Sequence, residues 1–233
     1  VQKAVETYEA IRREVPDSYF MLDSFLSEYD TLVQSGNAAE AAKVISELEE
    51  AGRSKNRKKW EKMAAILRGQ MNESNGKYKE ALSQYTIYGN DPFVEQEAKA
   101  GVLRCLVALK QLDEAKLQAE KIISEYQGGK KYGSRLMTTA YNALGDYYLE
   151  KNPYEALLCY LRSEAQFHLD PCYEDEYAMA MSAVAFAAVA KSMQDRDKQR
   201  EYMSRAKKRF DALLRQYPHS KLKSMVEQQL SAK

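Results

Sequence analysis

Residues 141 to 160 read Tyr-Asn-Ala-Leu-Gly-Asp-Tyr-Tyr-Leu-Glu-Lys-Asn-Pro-Tyr-Glu-Ala-Leu-Leu-Cys-Tyr, and the rest of the chain can be read outward from them. Tyr141, Leu144 and Tyr148 recur at helical spacing with Gly145 among them, and Asn152-Pro153 breaks that helix before a second one opens. Gly145 and Ala156 carry almost no side chain, so two antiparallel helices can approach closely there while Tyr148 and Tyr160 fill the space beside the contact. The stretch predicts one helix-turn-helix unit.

Related units appear along the chain. Trp60 to Tyr88 places Ala65, Gly69 and Asn72 in a first helix, turns at Asn75-Gly76-Lys77-Tyr78, and lines a second helix with Ala81 and Tyr85 before Asp91-Pro92. Glu97 to Tyr126 gives Val102, Leu103 and Leu106, then Leu112 to Ala115 and Ala119, Ile122 and Ile123; Leu103 stands where the family resembled below carries a glycine. Ser18 to Gln34 carries Leu22, Phe25, Leu26, Tyr29, Leu32 and Val33 on one side, and after Ser35-Gly36-Asn37 the residues Ala41, Ile45 and Leu48 face back. Val1 to Arg13 reads as a second helix lacking its first, with Ala4, Tyr8 and Ile11 on one face and Pro16 closing it, a pattern that allows the series to begin upstream of Val1. The last pair runs from Tyr173 to Tyr217, with Ala206, Phe210 and Leu213 ahead of Tyr217-Pro218-His219-Ser220.

A bulky residue, Leu144-Gly145 and Tyr148 in one helix, followed by Ala156 in the next, resembles the tetratricopeptide repeat (TPR) family. The resemblance covers nearly the whole chain in architecture and is specific at residue level from Trp60 to Tyr160. It implies an all-α fold, a right-handed superhelical solenoid of TPR-like helix-turn-helix pairs. No Pro/Gly/Ser-rich linker interrupts the series, so 1-233 reads as a single domain of about five helical pairs and an N-terminal half repeat. The ending Tyr217-Pro218-His219-Ser220 is similar to repeats of TPR lipoproteins of the bacterial outer membrane and related periplasmic proteins, which implies a periplasmic or cell-envelope location, with the cytoplasm as the alternative.

Composition bounds the function. Thirty-five basic against 34 acidic residues leave a net charge of +1, so no global field holds the chain on nucleic acid or an anionic membrane, and partners must be read locally. The longest apolar stretch, Tyr177 to Ala190, is shorter than the ~20 residues of a membrane span and reads as a buried Ala-rich helix. The chain opens with neither an initiator Met nor an apolar secretory segment, which leaves a removed signal peptide open. Of three cysteines, Cys105 and Cys159 fall in helices and Cys172 in a loop, where it reads as an exposed thiol.

No catalytic, metal or cofactor site can be assembled. His168 and His219 lack ligand partners at metal spacing, and neither acid/base nor nucleophile constellations occur, so the chain is expected not to be an enzyme. Gln127 to Ser134 lacks the strand and the spacing of a phosphate loop and reads as an inter-repeat connection. The acids of Asp170 to Glu176 read as a solvated helix start rather than a calcium loop. Arg205, Lys207, Lys208 and Arg209 read as the solubilising outer face of an amphipathic helix.

The resemblance implies binding of another protein or peptide in a concave groove lined by first helices. The family's groove face falls here on Met63, Ile66 and Gln70, then Glu97, Ala100, Arg104 and Val107, then Thr139, Asn142, Asp146 and Leu149. The repeat phase also leaves Met63 and Ile66 open to a core role. The lysine/asparagine clamp of chaperone-binding members is absent from these positions. A second surface is offered by Arg57, Lys58, Lys59 and Trp60, either a phosphate-contacting patch with a stacking ring or a polar loop whose Trp60 packs inward, and by Tyr147, one residue off the core phase. The leading expectation is a non-enzymatic scaffold. Self-association through the solenoid ends and nucleic-acid binding through 53–60 are the alternatives.

Overall fold

The computed structural model describes residues 1–127, 134–167 and 173–231. Every regular element among them is a helix: α1 (Gln2–Glu14), α2 (Met21–Gln34), α3 (Ala38–Ser54), α4 (Lys58–Ser74), α5 (Tyr78–Tyr88), α6 (Glu95–Ala108), α7 (Leu112–Gln127), α8 (Ser134–Tyr148), α9 (Pro153–Phe167), α10 (Tyr173–Ser192), α11 (Arg196–Gln216) and α12 (Lys223–Ser231). Contacts gather the chain into two compact units, Val1–Cys105 and Leu106–Lys233. Their boundary falls within α6.

One turn chemistry recurs. At the ends of α2, α3, α4 and α6, a residue in the left-handed region lets the next N–H reach back to the carbonyl five residues earlier: Asn37 to Leu32 (2.9 Å), Arg57 to Gly52 (2.7 Å), Lys77 to Asn72 (2.8 Å) and Gln111 to Leu106 (2.9 Å). Gly36 (φ +79°) and Gly76 (φ +73°) adopt that conformation freely, whereas Asn56 and Lys110 adopt it at the cost every Cβ-bearing residue meets there. Where such a turn opens a second helix, the carbonyls of Asn37, Lys77 and Gln111 accept from the N–H groups of Ala41, Ala81 and Ala115; Asn152 does the same for Ala156. All four alanines are fully buried. A larger residue there would hold the paired helices apart.

In the first unit, successive helices from α1 to α5 pack against one another. One core gathers Phe25, Tyr29, Ile45, Leu48 and Trp60; another gathers Ile66, Ala81, Tyr85, Val94 and Cys105, with Met63 packed against both. α1 has no fully buried residue, its Ala4, Tyr8 and Ile11 being half-covered. It is tied down by Arg12, which lies 2.5 Å from the buried Glu28 carboxylate and 4.3 Å above the Phe25 ring. Burial raises the Glu28 carboxyl above its ordinary range although Arg12 pulls it down.

In the second unit α10 is the hub. It packs on α8, α9, α11 and α12, and nearly all its residues from Ala178 to Ala190 are buried. That explains its Ala-rich composition, since small side chains leave room for neighbours on every face. No described helix is long and apolar enough to cross a membrane.

Several expectations need correction. Glu174 and Asp175 are 2% and 3% exposed, so the start of α10 is buried rather than solvated. Arg209 points inward, pairing with Glu164 and donating to Ser182 Oγ at 3.1 Å. Val33 is exposed at the end of α2. The last pair is joined by a third helix, α12, which seats its buried Val226 beside α10 and α11 after Ser220 Oγ accepts from the Leu222 N–H. Cys172, His168, Gln127 to Ser134 apart from its helical ends, and Asp170 to Cys172 lie outside the described residues.

Candidate functional site

The side chains carried by first helices meet the rest of each unit at two polar joints built to one plan. In the first unit Gly69 of α4 and Gly101 of α6 admit the ring of Tyr85 from α5. A Cβ on Gly69 would lie 2.6 Å from Tyr85 Cε1, and one on Gly101 would lie 2.5 Å from Tyr85 Cδ2. Gly101, not the position of Leu103, is therefore where α6 needs a glycine; Leu103 is fully buried. The Tyr85 hydroxyl donates to Glu73 Oε2 (3.0 Å), and Arg104 grips the same carboxylate through Nε to Oε1 (2.6 Å) and Nη2 to Oε2 (3.0 Å). The pairing is bidentate, the strongest geometry available to arginine and carboxylate.

In the second unit Gly145 of α8 receives the ring of Tyr160 from α9, and a Cβ there would lie 2.5 Å from Tyr160 Cζ. The hydroxyls of Tyr160 and of Tyr177 from α10 both donate to Asp146 Oδ1, each at 2.7 Å. The spans match: the within-hairpin bonds join residues 12 and 14 apart, and the bonds to the next helix each join residues 31 apart. Burial pushes the Asp146 carboxyl up from 3.8 to about 6, against the opposing pull of the two tyrosine hydroxyls and of Lys110. Burial likewise raises both tyrosines well above their ordinary value. These groups cement three helices.

The expected groove residues consequently divide. Ile66 is fully buried, and Ala100, Thr139 and Asn142 are 3%, 4% and 5% exposed. Asn142 donates its amide to the Glu174 carbonyl (2.9 Å), and Thr139 donates its hydroxyl to the Arg135 carbonyl (2.9 Å). Asp146 and Arg104 belong to the joints. Leu149 packs against the second unit's core. Met63, Gln70 and Val107 are half-buried, and Glu97 is exposed. In the first unit, Glu97, the half-buried Met63 and Gln70, and the rim of the Glu73–Arg104 pair are the parts of that face that reach solvent.

The second surface divides too. Trp60 is 6% exposed, its ring in an edge-type contact with Phe25 (centroids 6.4 Å apart) and the Arg57 guanidinium 4.5 Å above its face, so the ring packs inward. Asn56, Arg57, Lys58, Lys59 and Trp60 line a wide, open depression of about 390 Å³. Tyr147 is half-buried, with the Lys151 ammonium 3.6 Å and the Lys116 ammonium 5.1 Å from its ring centroid. Cys105 and Cys159 are pushed up to about 12 and about 11 by burial, which keeps both as thiols. Among the described residues no three His, Cys, Asp or Glu are grouped to hold a metal.

No protein-family model and no curated protein matches this chain. Among the described residues it is an all-helical protein whose consecutive helices pack against one another, as in a helical repeat.

Proposed function

We propose that the chain is a non-enzymatic protein-binding scaffold of the tetratricopeptide type, its hairpins stacked into a right-handed superhelix whose concave face receives another protein or an extended peptide. The observation that carries this reading is the repeated hairpin closure: a reach-back turn, a carbonyl capping the next helix, and a fully buried alanine, at Ala41, Ala81 and Ala115. Repeats of this kind spend their interiors on stacking and leave extended surfaces for partners. On that face, Gln70 and Glu97 are the groups that meet a ligand, and the Glu73–Arg104 pair presents its rim. The similarity of Tyr217-Pro218-His219-Ser220 to envelope TPR proteins supports a partner within a bacterial cell-envelope complex.

Site-specific photo-crosslinking tests the assignment. A benzophenone side chain is placed at Glu97 or, on the exposed face of α11, at Lys208. A discrete partner adduct from position 97 and none from 208 is the expected result. Adducts from 208 alone would place binding elsewhere.

A further inference from the structure

Helix direction alternates through the first unit, so the α1–α2, α3–α4 and α5–α6 connections share one end. Contacts between them fix this: Lys55 in the α3–α4 connection donates to the Pro16 carbonyl, pairs with Asp17 at 3.2 Å and lies 3.8 Å from Met21 Sδ, while the Lys59 ammonium stands 5.2 Å from the centre of the Phe93 ring. The opposite end carries the tight polar turns Ser35-Gly36-Asn37 and Asn75-Gly76-Lys77. The shared end is chemically different. Tyr19 is 88% exposed and Phe20 63% exposed, their rings edge to face at 5.8 Å, with Val15 (49%) before them and Ile87 (74%) in the last turn of α5. The same end carries the open depression lined by Arg57, Lys58 and Lys59.

Large apolar side chains left in water at the tip of a helical unit disfavour that state, and a tyrosine beside a phenylalanine suits a boundary that is apolar on one side and wet on the other. Cations next to them suit a boundary that is also negatively charged. Glu14 pairs with Arg13, Asp17 with Lys55 and Asp91 with Lys62, Asp23 in the first turn of α2 is exposed, and Arg57, Lys58 and Lys59 stand in sequence along the rim of the depression. The geometry points to a peripheral docking surface for an anionic phospholipid bilayer: Tyr19 and Phe20 enter the headgroup layer, and Arg57, Lys58 and Lys59 receive lipid phosphates in the depression. The inference about this surface does not depend on the assignment of the Gln70 and Glu97 face. The lipid contact is shallow and reversible, because a few side chains bury little area and each cation near an anionic leaflet adds only modestly.

Vesicle co-sedimentation of the full chain tests it, with phosphatidylcholine vesicles and phosphatidylcholine vesicles containing phosphatidylglycerol. Wild type is expected to sediment with the anionic vesicles only, and less as salt rises. Tyr19→Ser with Phe20→Ser, and separately Lys58→Glu with Lys59→Glu, are each expected to lower partitioning about tenfold or more. Both pairs alter exposed side chains, and unchanged helicity and melting verify the fold. Equal binding to neutral vesicles, no binding to either, or full retention by either variant would overturn the proposal. Binding of single-stranded RNA without binding of vesicles would overturn it too, and would make the patch a nucleic-acid surface.

Discussion

Replacing Asp146 by asparagine isolates the energetic cost of a buried charge. The native carboxyl titrates near 6 instead of 3.8, so the folded state holds this proton more tightly than the unfolded state does. The sign follows: the contribution of residue 146 is most favourable below about 3.8 and is lost as pH rises through about 6. At about 1.36 kcal/mol per pH unit, the gap amounts to about 3 kcal/mol. The side chain introduced by Asp146→Asn cannot ionise, but its carbonyl can still accept from both tyrosines, as an amide oxygen has two lone pairs. Any mismatch of its NH2 group adds an offset that does not vary with pH. Urea denaturation followed by circular dichroism, on both proteins from pH 4 to pH 8, supplies the difference in unfolding free energy. The variant is expected to gain on wild type by about 2.4 kcal/mol across that range, nearly all of it below pH 7, the remainder of the gap lying below pH 4. Other carboxylates, including the raised Glu28, titrate in both proteins and cancel. A flat difference would show that the carboxylate is solvated like any surface acid. A difference falling with pH would show that the tyrosines over-compensate for burial.

Two further outcomes follow from the joints. Gly145→Ala puts a Cβ against a ring anchored by Asp146, so it should cost about 2 kcal/mol and lower Tm by about 5 °C, read by calorimetry; an unchanged Tm would mean the ring can yield. A double-mutant cycle of Arg104→Ala and Glu73→Ala should return a coupling of about 1 to 2 kcal/mol that changes little with salt, because both side chains are only 18% exposed; a coupling near zero would class the pair with ordinary surface ion pairs.

The hairpins were legible because their determinants are local. Gly145 with Tyr160, Gly69 with Tyr85, and the series of alanines stand at spacings that only paired helices use. Gly101 escaped because the repeat pattern put the small residue two positions later, at Leu103, and only the position of Tyr85 in space reveals which residue faces it. α12 escaped because nine residues with one buried side chain leave almost no periodic signal. The groove was the least legible part. Thr139, Asn142 and Asp146 are polar, and polarity in a sequence does not distinguish a side chain facing water from one satisfied inside by a carbonyl or a tyrosine. Glu174 and Asp175 show the same ambiguity. Trp60 could be read inward or outward from its cationic neighbours, and Phe25, 35 residues earlier in the chain, decides the matter by offering it a packing partner.

The matched spans of the two joints also set a timetable for synthesis. Each tyrosine can reach its own hairpin's carboxylate 12 or 14 residues back as soon as the second helix has emerged, but Arg104 and Tyr177 arrive 31 residues after Glu73 and Asp146. A hairpin leaving the ribosome therefore closes early and is locked only when the first helix of its successor appears. Because the contacts are local, structure can accumulate in the direction of translation, each hairpin waiting about one repeat for its lock.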